Sequence, residues 1–191
     1  MIAFLLILLV VIAALIAAPG MIWVSTNNRL VALDTRCDTA FADIDAHLKH
    51  RQNLIPALVE TVRGYAKHEA HILDGITQAR VEAMRASAPD MKLKAEKNLT
   101  QQINALLGVA DRYPDLKASG HFAGLRDELI DAENRITASR RFYNLAVGEY
   151  DTTLRQFPGS LIAQKRNMSQ RKPFDLGFER VLIDEPMAIA F

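Results

Sequence analysis

Apolar residues dominate the start of the chain and then recur at helical spacing along the rest of it. From Ile2 to Val24 the run carries no charged side chain, and only Pro19 and Gly20 interrupt it. At about 1.5 Å per residue a helix of this length reaches roughly 35 Å, which exceeds the ~30 Å of a hydrocarbon core. The pattern therefore predicts a transmembrane anchor over residues 1–25.

A cleaved secretory signal is the alternative interpretation of the same run. Such a signal begins with a Lys or Arg, has a shorter apolar core and ends at a small-x-small cleavage site. No side-chain cation precedes the run, since Arg29 is the first charged residue, and this favours a retained anchor. Ala17, Ala18 and Gly20 still offer a weak cleavage site. Trp23, at the far end of the run, is typical of a residue at a membrane interface.

Beyond the anchor, apolar positions repeat in steps of three and four residues, which is the spacing of amphipathic helices. The repeat is strongest after Gly120, where it forms a heptad stripe that ends at Pro158-Gly159. The predicted helices have these bounds: Leu30 to a break at Gln52-Asn53, Asn53 to Pro89, Asp90 to Tyr113, and Gly120 to Phe157. No segment alternates with period two, so the predicted fold class is all-α.

Short connections between long helices make neighbouring helices antiparallel. We therefore predict that the transmembrane helix continues into an antiparallel up-down four-helix bundle, which occupies residues 26–158. An irregular C-terminal tail follows at 159–191, with a helical turn around Leu161 to Lys165. Because the fourth helix returns toward the anchor, the tail is expected near the membrane.

The same order predicts which parts of the bundle meet at its far end. The joint at Gln52-Asn53 and the loop after Arg112 would lie side by side there. We predict a partner-binding tip that comprises Lys49, His50, Arg51, Asn53, Arg112, Asp115 and Lys117. A solvated turn is the alternative, because Lys49 and Arg51 also suit the C-terminal end of a helix dipole.

Four cations cluster in the tail, and their topology suggests a lipid contact. They are Lys165, Arg166, Arg171 and Lys172. A cation near an anionic leaflet contributes about 1 kcal/mol, so four of them could hold the tail on lipid headgroups. A tail that is simply solvated is the alternative.

Charge and side-chain chemistry exclude several classes of function. The chain has 23 basic and 22 acidic residues and a formal net charge of +1, so no nucleic-acid partner is predicted. Cys37 is the one cysteine and lies on an apolar face, which indicates a structural thiol and no internal disulfide. The histidine pairs at 47/50 and 68/71 lack further converging ligands, so we predict no metal, no cofactor and no catalytic residue.

Several segments resemble the signature of the LemA family. They are IDAHLKHRQNLIP at 44–56, LVETVRGYA at 58–66, YPDLKA at 113–118 and ENRI at 133–136. The chain departs from the usual pattern in four places: His50 stands where a second basic residue is usual, Asn53 where Asp is common and Ala57 where Asn is common, and residues 164–170 lack the usual Gly-Phe. The resemblance implies a bacterial inner-membrane protein with one N-terminal anchor and a helical bundle, and it implies no reaction.

Arg29 and Arg36 follow the anchor and no charge precedes it, so the positive-inside tendency favours a cytosolic bundle. We expect a single-pass, non-catalytic scaffold or adaptor that self-associates or presents its tip to an unknown protein partner. The alternative is a ligand- or metal-binding bundle with enzymatic activity.

Overall fold

The computed structural model describes residues 2–87 and 89–174, and this part of the chain is all-helical. Six α-helices follow in order: α1 Ile2–Tyr65, α2 Ala70–Arg85, α3 Pro89–Val109, α4 Pro114–Lys117, α5 Gly120–Arg155 and α6 Gly159–Arg166. A 3-10 turn at Ala110–Arg112 separates α3 from α4. Helix α5 confirms the predicted helix after Gly120, although it ends at Arg155 and Phe157 is exposed. Helix α6 confirms the predicted turn. Residues 175–191 of the predicted tail lie outside the described residues.

The predicted break at Gln52-Asn53 is wrong, because α1 continues to Tyr65. Pro56 has no N–H to donate to the carbonyl of Gln52, and this normally weakens a helix interior. Here the Nε of Arg80, on α2, donates to that carbonyl oxygen at 2.8 Å. The Gln52 side chain donates to the carboxylate of Glu96 at 2.5 Å, so it does not compete with the helix backbone.

The chain instead reverses at residues 66–69, between α1 and α2. The backbone N–H of Glu69 donates to the carbonyl of Ala66 at 3.1 Å, and the N–H of Ile72 donates to the carbonyl of Glu69 at 3.0 Å. The second predicted helix is therefore split: its first part completes α1 and its second part is α2. Helix α3 begins at Pro89, one residue before the predicted Asp90 cap.

The chain divides into two compact units. The central unit contains residues 42–87, 89–141 and 174, and the terminal unit contains residues 2–41 and 142–173. Helices α1 and α5 each contribute to both units. The central unit has one hydrophobic core, whose largest fully buried members are Ile55, Leu58, Ile76, Leu99, Leu106 and Leu116.

Polar contacts define how helices run within the central unit. On α1, Asp45 accepts from Lys92 of α3 at 2.6 Å, and Arg51 donates to Glu96 of α3 at 2.6 Å. The order of these pairs makes α3 parallel to α1. Since α2 lies between them in the chain and returns from the 66–69 turn, it runs antiparallel to both.

In the terminal unit, α1 packs antiparallel to α5. The rings of Phe41 and Tyr143 lie 5.6 Å apart, and Arg36 pairs with Glu149 at 2.8 Å. Cys37, on α1, is fully buried, as predicted for a structural thiol. Burial raises the pKa of this thiol, so the reactive thiolate is disfavoured.

The N-terminal part of α1 has the features of a membrane segment. Among the described residues, only the helix that contains Val11–Tyr65 is long and apolar enough to cross a bilayer. None of the residues in its apolar window is buried, unlike the core helix of a soluble protein. A signal sequence near the N-terminus satisfies the same criteria of length and composition.

Candidate functional site

A charge network lies in the central unit, where α1, α3 and α5 contribute one charged residue each: Arg51, Glu96 and Glu133. The side chain of Arg51 is 2% exposed. Its Nη2 donates to Glu96 at 2.6 Å, and its Nη1 donates to Glu133 and, at 3.0 Å, to the hydroxyl of Thr100. The planar guanidinium suits this role, because it can serve two carboxylates at once.

The burial of the two carboxylates differs sharply. The side chain of Glu96 is 1% exposed and that of Glu133 is 42% exposed. Glu96 also accepts from Gln52, so both of its oxygens are satisfied. Among the described residues, the buried Nε of Arg51 has no hydrogen-bond partner. A cavity of about 230 Å³ adjoins the network and is lined by Arg51, Thr100 and Glu133 together with apolar side chains. Arg51 is therefore committed to the core, and the network joins three helices.

This burial corrects the predicted tip, which assumed that Arg51 was exposed. Lys49, His50 and Asn53 are exposed on α1, but no chain reversal occurs beside them. The segment with Arg112 meets the 66–69 turn instead. We call residues 66–69 and 110–119 together the loop tip. Of the predicted tip residues, the loop tip contains Arg112, Asp115 and Lys117.

Glu69 is the centre of the loop tip. It is 17% exposed at its side chain, and it accepts from Arg112 at 3.2 Å and from the hydroxyl of Tyr113 at 3.3 Å. Lys117 and Asp111, which are both exposed, form an ion pair with 2.9 Å between Nζ and Oδ1. The hydrogen bond and the positive charge of Lys117 lower the pKa of Asp111.

A cleft of about 360 Å³ opens beside this pair, with Phe122 and Arg126 among its lining residues. Asp111 and Lys117 line it as well, and Asp115 is exposed on α4. The loop tip thus presents both signs of charge next to an apolar surface.

The four cations of the tail have different surroundings. Arg171 donates to Asp34 at 2.7 Å and to Asp38 at 2.6 Å, both on α1. Burial lowers the pKa of Arg171, but its hydrogen bonds to Asp38 and Asp34 outweigh this effect and leave the pKa above its ordinary value. Lys165 and Arg166, in α6, are exposed.

Two tyrosines hold the backbone of the same tail segment. Tyr150 donates to the carbonyl of Ser169, and Tyr143 to the carbonyl of Lys172, each at 3.1 Å. The segment that contains Arg171 is therefore fastened to the terminal unit, and Arg171 is engaged with protein carboxylates.

The sequence pattern did not predict the contacts of Glu96, Glu69 or Arg80. A signal for Glu96 was present, because it lies three residues before Leu99 and thus on the buried face of α3. Arg51 carries the same signal, since it lies three residues after Leu48 and four before Ile55. Glu69 and Arg80 had no comparable signal.

In the described part of the chain, no group of three or more His, Cys, Asp or Glu side chains lies close enough together to hold a metal ion.

Comparisons with known proteins identify the family. The model of the LemA family matches residues 40–191, which include the buried charge network and the loop tip. A curated relative, Protein LemA of Metamycoplasma hominis, is 27% identical over 168 residues, which is 85% of this chain and 75% of the relative. The family match covers most of the chain, so the chain belongs to the LemA family.

Proposed function

We propose that this chain is a single-pass, membrane-anchored and non-catalytic scaffold or adaptor, which self-associates or presents its loop tip to a protein partner. One observation carries the proposal: α1 is a single helix that bears the exposed apolar segment and also buried residues of both units. The anchor and the helical framework are therefore one element. The formal charge of +1 supports a partner other than nucleic acid.

The proposed framework of the central unit is an up-down four-helix bundle of α1, α2, α3 and α5. The shared hydrophobic core and the directions of the helices support this arrangement. Ion pairs make α3 parallel to α1, and α2 returns between them. An up-down bundle exposes the connections at its ends, and the loop tip comprises two of these connections. This makes the loop tip the natural surface for a partner.

The proposed location is the inner membrane of a bacterium, with both units on the cytosolic side. Arg29 and Arg36, which follow the apolar segment, support this orientation. We expect the apolar run to be retained in the mature protein, because it is longer than the apolar core of a secretory signal. Intact-mass measurement of protein purified from membranes should give the full-length chain. A mature chain that begins near Pro19 or Gly20 would overturn the anchor.

The partner surface is tested by swapping two exposed charges of the loop tip. In the double variant Asp115→Lys/Lys117→Glu the net charge stays constant. We expect unchanged helical content, since both side chains are exposed, but a loss of the complexes that chemical cross-linking captures in native membranes. Light scattering of the purified protein in detergent would show whether those complexes contain only copies of this chain.

A matched swap on α2 controls for a general effect of charge placement. Asp74 and Arg85 are exposed there, so Asp74→Lys/Arg85→Glu should leave the cross-linked complexes intact. If the tip variant keeps the same complexes as the wild type, the loop tip is not the partner surface.

A further inference from the structure

A cleft lies between the end of the apolar segment on α1 and helix α6. It measures about 380 Å³ and is lined by Trp23, Val24, Asn27, Ile162, Lys165 and Arg166. The ammonium of Lys165 lies 5.7 Å from the centroid of the Trp23 ring, which is a cation–π distance. Helix α6 is therefore placed at the end of the apolar run, where an interfacial tryptophan would lie.

The surroundings of this cleft are positive. Neither the chain before Asp34 nor residues 156–174 contain a single Asp or Glu. Within the described residues, Lys165 and Arg166 form no ion pair with a carboxylate, whereas Arg171 serves both Asp34 and Asp38. The protein thus neutralises Arg171 and leaves the two cations of α6 available.

Exposed apolar side chains accompany these cations. Phe157 is 80% exposed and Leu161 is 48% exposed. Leu161 and Lys165 are four residues apart on α6, so they share a helical face. A surface with both an apolar side chain and a cation matches the acyl-chain and headgroup levels of a bilayer.

From this arrangement we propose that the cleft between Trp23 and α6 binds the phosphate headgroup of an anionic phospholipid, with Lys165 and Arg166 as its cationic contacts. The assignment rests on the proposed membrane anchoring and deepens it by naming the lipid class. It also separates Lys165 and Arg166 from Arg171, whose hydrogen bonds fasten the tail.

The single tryptophan of the chain provides the test. The full-length protein is reconstituted in vesicles that contain phosphatidylglycerol or phosphatidylcholine with brominated acyl chains, and quenching of Trp23 gives the relative affinity for the two lipids. We expect a preference for phosphatidylglycerol. Each cation near an anionic surface is worth about fivefold, so Lys165→Gln/Arg166→Gln should reduce the preference by up to ~30-fold.

Two control variants test whether the charge at these positions, and not a change in the fold, determines the lipid preference. The charge-conserving variant Lys165→Arg/Arg166→Lys should keep the preference, and so should Arg85→Gln/Lys94→Gln, which removes two exposed cations of the central unit. Helical content by circular dichroism should stay constant in all variants.

Three outcomes would overturn the assignment. They are equal quenching by both lipids in the wild type, an undiminished preference after Lys165→Gln/Arg166→Gln, and a preference abolished by excess inorganic phosphate at constant ionic strength. The last result would assign the cleft to a free anion. Membrane anchoring is judged separately by intact mass, so a failure of this site leaves that result unaffected.

Discussion

Arg51→Met is expected to lower the free energy of unfolding by about 3–5 kcal/mol, because it strands a buried carboxylate. Glu96, with 1% exposure, would keep only the amide of Gln52 as a partner. Glu133 is partly exposed and can turn to solvent, so Glu96 accounts for most of the loss. Urea unfolding of the full chain in detergent, followed by far-ultraviolet circular dichroism, measures the effect.

The double variant Arg51→Met/Glu96→Met tests this explanation. If the cost arises from an unpaired buried charge, removing that charge as well should restore most of the stability, since apolar replacement of a buried ion pair is often neutral. If the double variant is less stable than Arg51→Met, the packing of the Arg51 side chain matters more than its charge.

Arg135→Met is the matched control for Arg51→Met. Arg135 pairs with Asp131 at 2.8 Å on the surface of α5, where both side chains are 60% exposed. A pair of this kind contributes about 0–1 kcal/mol and is screened by salt. If Arg51→Met and Arg135→Met lower the free energy of unfolding by similar amounts, the buried network contributes no more stability than a surface ion pair.

Gly159→Ala is expected to destabilise the terminal unit by about 1–3 kcal/mol, because there is no room for a methyl group. A Cβ at this position would lie 2.1 Å from the carbonyl oxygen of Thr153 and 3.8 Å from Leu30. The carbonyl belongs to the backbone, so it cannot rotate away, and the start of α6 must shift. Limited proteolysis by trypsin should therefore cleave faster after Lys165 and Arg166.

Gly148→Ala, on the neighbouring helix, is a control that is expected to raise stability instead of lowering it. Apart from the surrounding backbone of α5, no atom of the described residues lies within 4 Å of a Cβ built at Gly148, which is in the interior of that helix. Replacing a mid-helix glycine by alanine stabilises by about 0.5–1 kcal/mol. If Gly159→Ala also leaves stability and cleavage unchanged, the close approach to Thr153 is relaxed in solution.

The sequence was sufficient for elements whose cause is local. The heptad stripe predicted α5, and the uncharged run predicted the exposed start of α1. Cys37 was correctly placed in the core because it continues the apolar face of Leu30 and Leu33. In each case the residues that define the element are neighbours in the chain.

The prediction of a break at Gln52-Asn53 is wrong because the side chains that stabilise the helix at this point are distant in the sequence. Arg80, which compensates for Pro56, lies 28 residues beyond Gln52, and Glu96 lies 44 residues beyond it. Nothing near Gln52 reveals either partner. Arg51 was placed at the surface because of its charge, although its spacing from Leu48 and Ile55 indicated burial. The same error affects the predicted tip, because the segment around Arg112 meets the 66–69 turn and not residues 49–53.

The two units also differ in the length of chain that their contacts enclose. In the central unit, the network pairs residues 45 and 82 positions apart. In the terminal unit, Arg36 meets Glu149 over a separation of 113 positions, and Arg171 meets Asp34 over 137. Loop-closure entropy rises with the enclosed length, and contacts of high contact order form slowly. The central unit therefore has the shorter loops to close and is expected to fold first. Its folding shortens the effective loop that the terminal unit must close, so the C-terminal segment is fastened last.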